Sequence, residues 1–414
     1  MTGSEERSEQ TVSAPGAPRV TPLQAAALGV PAVLYGLAAP WSIAASQISL
    51  GIGLLGVITA LFTGWRPPRP WPRLLIWIGL LILLQALSIP LGVHPLRSWR
   101  AFPHSSWVYL LPLLYWCLLA DARWRRRALL ALVVSGSLAG AYGIVQHYTT
   151  AVWPADRTAE LLPGGGYIAI GTLGHHLTYA GVLLPIFFAA FGLALEGRKR
   201  AALLLVAALI AGGLLFSAAR TAWIGLAAGL LLLGWIHGRR YFLAALGGLV
   251  LVGVVVLVLD PGVRARFFTL AGLTEVPRIR LWLTALHIAA DHTWIGTGLA
   301  SWREMFAVYR VPGEYMSTSH PHNDLLLVLV ETGVLGAAAW IGIWVAFFRE
   351  TRTASRLANA LRAGVAAMLV AGLGQCFATD EEVAQVWWFI VTAALLTARR
   401  SLDGSSARPR TGRP

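Results

Sequence analysis

Apolar stretches of roughly 16 to 25 residues recur along almost the whole chain, separated by short turns rich in arginine. A helix of about 20 apolar residues matches the hydrocarbon core of a bilayer, where only an internally hydrogen-bonded backbone is tolerated. With 57% hydrophobic residues and 13% charged, a large soluble domain is excluded. The stretches lie at roughly 23–41, 46–64, 74–92, 105–120, 128–148, 176–195, 201–217, 221–236, 242–259, 323–348, 361–378 and 384–398. The expected fold is therefore an all-α polytopic membrane protein with about twelve transmembrane helices and one long external loop, residues 260–321, that carries helix of its own.

Residues 1–22 are polar and rich in Pro, Ser and Glu, with no basic segment leading into an apolar one and a small-residue cleavage site. They read as a disordered tail rather than a signal peptide, and 401–414 as a second tail. Residues 23–400 then form one membrane-embedded domain. Cys117 and Cys376 fall inside apolar stretches, where a thiol is a small hydrophobe, so no disulfide framework is implied.

The net charge of +14 does not point to nucleic acid, because the basic residues punctuate the apolar stretches instead of forming one patch. Twelve crossings put both ends on one side. Assigning the tails and alternate turns to that side gives it 23 Lys and Arg, against 10 on the other. Positive residues are retained in the cytoplasm, so both termini are expected there, with the excess meeting anionic membrane lipids. All but one of the 33 basic residues are arginine, the exception being Lys199, so residue type alone says little about phosphate binding. Position has to carry that argument.

Three stretches place polar chemistry at the outer face. In "SHPHNDLLLVLVETGVLG", residues 319–336, Pro321 suits a first helical turn, which would set His322, Asn323 and Asp324 around a helix N-terminus that attracts anions. Asn323 and Asp324 would serve equally well as helix caps. Glu331 lies inside the apolar run, where a carboxylate is costly and marks either a function or a structural ion pair. Gly333 and Gly336 would admit a neighbouring helix. In "LLFSAARTAWIGLAAG", residues 214–229, Arg220 separates two apolar runs at the outer interface, free to snorkel to headgroups or to bind a ligand. In "VPRIRLWLTALHIAADHTWIGTGLASWRE", residues 276–304, Arg278, Arg280 and Arg303 accompany His287 and His292, and Leu281, Leu283, Leu286 and Ile288 suggest a short surface helix ended by the glycines of "GTG". No phosphate loop and no metal-ligand spacing occurs, so neither metal nor other cofactor is expected. Several arginines and an imidazole facing outward suit a substrate that brings its own diphosphate, because a planar guanidinium binds phosphate oxygens bidentately.

The order "SAARTAW", "RIRLW", "WIGTGLASW" and "HPHNDLLLVLVETGVLG" resembles the bacterial O-antigen ligase and polymerase superfamily, over about residues 165–345. That resemblance implies a GT-C-like membrane glycosyltransferase of the inner membrane that takes a glycan from undecaprenyl diphosphate at the periplasmic face. The lipid A core is the expected acceptor; polymerases and protein-glycosylating relatives are the alternatives. It also implies catalytic roles for His322, Arg220 and Arg280, substrate contacts by Arg278, Arg303, His320 and Asn323, and supporting roles for Asp324 and Glu331. "RIR" offers two arginines for one role, His320 duplicates the histidine, and "GHHLTYAG", residues 174–181, matches loosely. A transporter of lipid-linked glycan is the rival of another class, although charges deep in several crossings and paired interrupted helices would then be expected.

Overall fold

The computed structural model describes residues 21–149, 152–153, 159–197, 199–268, 275–313, 315, 319–353 and 355–406, the side chains of 275–276 and 401–406 excepted. Among these residues the chain forms α1 (Pro22–Ala38), α2 (Ile43–Phe62), α3 (Leu74–Leu91), α4 (Pro95–Ser106), α5 (Leu111–Leu118), α6 (Ala122–Tyr148), α7 (His176–Glu196) and α8 (Arg200–Phe216). It continues through α9 (Arg220–His237), α10 (Arg239–Leu259), α11 (Pro261–Phe268), α12 (Glu275–Asp291), α13 (Trp302–Tyr309), α14 (Asp324–Glu350), α15 (Arg356–Gly372) and α16 (Glu381–Ser406). The first tail, up to residue 20, and residues 407–414 of the second lie outside the described residues.

Each apolar stretch of the sequence holds helix, and the architecture is all-α. Seven helices, α2, α3, α6, α7, α9, α10 and α14, are long and apolar enough to cross a membrane, while α1 and α8 are apolar but shorter. The fourth stretch is not one helix: α4 gives way to a 3-10 turn over Trp107–Leu110, and α5 starts afresh with Pro112 in its first turn. Proline has no N–H to donate, which it can spare only near a helix start. Side-chain caps that the sequence advertises fix several starts, including Ser42 for α2, Asp121 for α6, Asn323 for α14 and Ser355 for α15.

Helix α7 is the centre of the bundle, packed against α8, α15 and α16 and buried along most of its length. Helix α10 is its opposite, a strongly apolar helix with no buried residue, touching α9 and α11. So much uncovered apolar surface is stable only in lipid, and the molecule is a membrane protein.

One clasp shapes the external segment. Gly333 breaks the helical conformation of α14 (φ 66°), and a Cβ there would lie 2.4 Å from the Trp294 carbonyl. Gly296, itself at φ 75°, lies against the backbone of residues 331–333. Thr297 N–H donates to the Val330 carbonyl (2.8 Å), Val334 N–H to that of Thr293 (2.8 Å), and Ala300 N–H to the Glu331 carboxylate (2.9 Å). The expectation that Gly333 and Gly336 admit another helix is thus corrected. Gly333 admits the loop after α12, and Gly336 makes room for the hydroxyl of Thr332 on its own helix.

Candidate functional site

Helices α7, α9 and α14 begin, and α8 and α15 finish, at one end of the bundle, and their termini wall a cavity of about 310 Å³. The α8–α9 junction contributes Arg220 and Thr221 through a turn so tight that Ala218 adopts φ 53°. No side-chain hydrogen bond caps α9 and its first turn holds no acidic residue, so its N-terminal dipole faces the cavity. Helix α12 supplies Arg278 and α11 supplies Arg266. The Asp260–Pro261 step starts α11: Asp260 accepts from Val263 N–H (2.7 Å) with one oxygen and pairs with the buried His147 Nε2 (2.9 Å) through the other. That anchor fixes the start of the helix that carries Arg266.

Histidines line the remaining wall. His175 and His176 stand at the start of α7, and His320 and His322 precede α14. The His322 ring lies 4.1 Å from that of His320, centroid to centroid, and its Nδ1 is 2.7 Å from Gln375 Oε1, just beyond α15. A carboxamide oxygen only accepts, so Nδ1 carries the hydrogen and Nε2 holds the lone pair. His176 is oriented the same way, its Nδ1 donating to the Ser217 carbonyl (2.9 Å). Burial pushes His320 down to about 4, with His322 and His175 nearby adding to the effect. Burial likewise lowers His322, opposed by the Gln375 hydrogen bond and reinforced by Arg278 and His175, and it lowers His175. These three imidazoles are neutral at neutral pH.

His322 sits at φ 51°, so two of the three non-glycine residues with positive φ among the described residues, Ala218 and His322, line this one cavity. Each such conformation costs roughly 1–3 kcal/mol and persists where surrounding structure imposes it. It also corrects the expected helix start: α14 begins at Asp324 behind the Asn323 cap, with Pro321 and His322 outside the helix.

The lining therefore combines three arginines and four histidines, and none of its described residues is acidic. Two of its buried polar atoms, Arg266 Nε and Thr221 Oγ1, have no hydrogen-bond partner among the described residues. An orphaned donor in a basic pocket is a cost that an anionic ligand would remove.

The other candidate residues lie elsewhere. Arg280 is two positions from Arg278, hence on another face of α12, and its guanidinium packs against Gly313. Arg303 is exposed on α13. Asn323 spends its amide on the α14 start, accepting from Leu326 N–H and donating to the Leu373 carbonyl, both at 3.0 Å. Asp324, buried, accepts from Ala378 N–H (2.9 Å) and so ties α14 to the segment after α15. Glu331 belongs to the clasp. His175, His176, Arg266 and Gln375 were not among the candidates; the Asp-Pro step before α11 and the paired histidines before α7 were the available signals.

A family model described as O-antigen ligase matches residues 204–341. No curated protein matches the chain.

Proposed function

We propose, for a chain whose residues 204–341 carry an O-antigen ligase domain, that this cavity transfers a glycan from undecaprenyl diphosphate to an acceptor hydroxyl, most directly one on the lipid A core. The observation that carries the reading is the lining itself, with three arginines, an uncapped helix N-terminus and an imidazole whose Nε2 can accept a proton, and no carboxylate among the described residues. Arg220 and Arg278, with Arg266 behind them, bind the diphosphate. The acceptor oxygen attacks the anomeric carbon from the opposite side, a glycosidic bond forms, and the carbon–phosphate oxygen bond breaks with its electron pair leaving on the diphosphate. The anomeric centre is inverted. Negative charge grows on the bridging oxygen during this step, and prearranged guanidinium groups stabilise it. His322 Nε2 takes the hydroxyl proton, with Gln375 holding the ring in the required tautomer.

The chain in this reading has a GT-C-like arrangement, crosses the inner membrane twelve times and keeps both termini in the cytoplasm, with the cavity periplasmic. The 23-to-10 division of basic residues supports that orientation. A cysteine replacing Val308, which is 78% exposed, should react with an impermeant maleimide added from the periplasm, and one replacing Arg127 should not. The natural cysteines, both buried, leave a low background. The reverse labelling pattern would place the cavity in the cytoplasm and end the proposal.

The function is tested with purified protein, carrier-linked glycan and lipid A core, in the presence of EDTA and without nucleotide. Transfer to the core is expected, because the donor is already activated and arginines supply the positive charge. Product formed only on a second carrier-linked glycan would make the protein a polymerase. Activity that vanishes with EDTA and returns with Mg²⁺ would overturn the arginine-based mechanism.

A further inference from the structure

A second cavity, a groove of about 470 Å³, runs between α14 and α15 and is unrelated to the transfer chemistry. Although consecutive in sequence, the two helices scarcely touch, since α14 packs on α3 and α12 while α15 packs on α7 and α9. The gap is apolar along its length, walled by Trp340, Trp344, Phe348 and Leu369, and opens sideways past Ile341 and Val345, which are 49% and 41% exposed. Its volume lies within the range of about 300–1,000 Å³ typical of small-molecule sites.

The two ends of the groove differ in chemistry. Asp324 stands at the end next to His322, with its Oδ2 buried and unpartnered. Arg349 and Arg352 line the other end, and Arg362 joins them there, stacked 5.4 Å over the Phe348 ring. No ion pair with any described acidic residue engages these three. Trp344, which lines the groove, has a buried indole N–H with no acceptor among the described residues. It lies five residues before Arg349, about 7.5 Å along a helix axis. A diacyl lipid carries its ester carbonyls a short way below its phosphate, so the same molecule can meet both.

We infer that this groove is a binding site for an anionic glycerophospholipid, with the headgroup phosphate on Arg349, Arg352 and Arg362, an ester carbonyl on the Trp344 N–H and an acyl chain between α14 and α15. A polyprenyl tail entering from the transfer site is the competing occupant, and placement argues against it, because its diphosphate would stay at the Asp324 end and leave Arg349, Arg352 and Arg362 at the other end unmatched. Basic pockets between membrane helices select anionic headgroups by the same electrostatics. The inference does not depend on the reaction assigned to the other cavity.

Full-length protein is equilibrated with phosphatidylcholine vesicles containing a minor fraction of phosphatidylglycerol, re-extracted in mild detergent, and its retained lipid quantified. Phosphatidylglycerol should be enriched over its bulk proportion by about tenfold or more. The triple change Arg349→Gln, Arg352→Gln and Arg362→Gln should return it to the bulk proportion. Val345→Trp, which fills the groove and keeps every arginine, should do the same, whereas Arg239→Gln with Arg240→Gln, a basic pair outside the groove, should not. Absence of enrichment in the unaltered protein overturns the inference. So does enrichment that survives Val345→Trp, which would mean loose attraction to a basic surface, and so does recovery of a polyprenyl lipid that Val345→Trp displaces. Should the triple variant fail to fold, the unaltered protein and Val345→Trp still decide the matter.

Discussion

Replacing His322 with alanine is expected to lower turnover by about 10²- to 10⁴-fold while carrier-glycan binding stays near normal, since proton acceptance is required mainly in the transition state. Two companions sharpen the measurement. Gln375→Ala leaves the imidazole but removes the acceptor that sets its tautomer, so it should lower turnover to a smaller degree than loss of the ring. His320→Ala should cost much less, because its Nδ1 already accepts from the His322 backbone N–H (3.2 Å) and its role is to support that turn. The pH profile provides an independent readout. A base must be neutral to act, and burial lowers His322 from its ordinary 6.5. The rate should therefore hold steady through neutrality and fall only on the acid side of 6.5, as the ring gains its proton. Membrane abundance is checked for every variant. A near-normal rate for His322→Ala, or a greater loss at His320, would remove His322 from its assigned role.

Arg220→Ala and Arg278→Ala are each expected to cut kcat/KM by roughly 10²- to 10³-fold, the scale seen when one prearranged stabiliser of transition-state charge is removed. In the proposed mechanism these residues, unlike His322, meet the diphosphate before reaction, so the donor KM should rise as turnover falls. Arg220→Lys should restore little, because a point charge cannot reproduce two parallel N–H donors on phosphate oxygens. Arg280→Ala is the discriminating comparison. Its guanidinium rests on Gly313 outside the cavity, so its loss should act through the packing of the external segment, with a smaller kinetic effect and a lower unfolding temperature. A larger kinetic loss at Arg280 than at Arg278 would return the diphosphate role to Arg280.

The sequence was informative where chemistry is local. Apolar length announced the helices, and Ser42, Asp121 and Asn323 announced their starts, because a cap needs only a few neighbouring residues. Arg220 stood out by separating two apolar runs, and His322 by standing at the mouth of one. What could not be read was which residues meet across distance. Arg278 and Arg280 are equivalent as text, and only the rotation of α12 against the bundle separates them. Gln375 is a single polar residue near the end of the apolar stretch 361–378, and its importance comes from the arrival of α15 beside His322. Arg266 depends on an aspartate, Asp260, that caps its helix and on His147 more than a hundred positions upstream. The left-handed conformation of His322 was equally hidden, because proline before it suggested continuous helix.

The cavity draws its wall from both sides of the stretch that the O-antigen ligase family model matches. Residues 204–341 contain Arg220, Arg266, Arg278, His320 and His322, yet His175 and His176 precede that stretch and Gln375 follows it. The matched segment alone does not hold the whole cavity wall, so it is not a unit that could be exchanged. A chimaera joined at its borders to a distant relative would bring His322 against a foreign residue in place of Gln375, and would set the Arg220 junction beside a foreign start of α7. Inheritance of this site has to proceed by the whole helical body, with changes near residues 175 and 375 answering changes near 220 and 322.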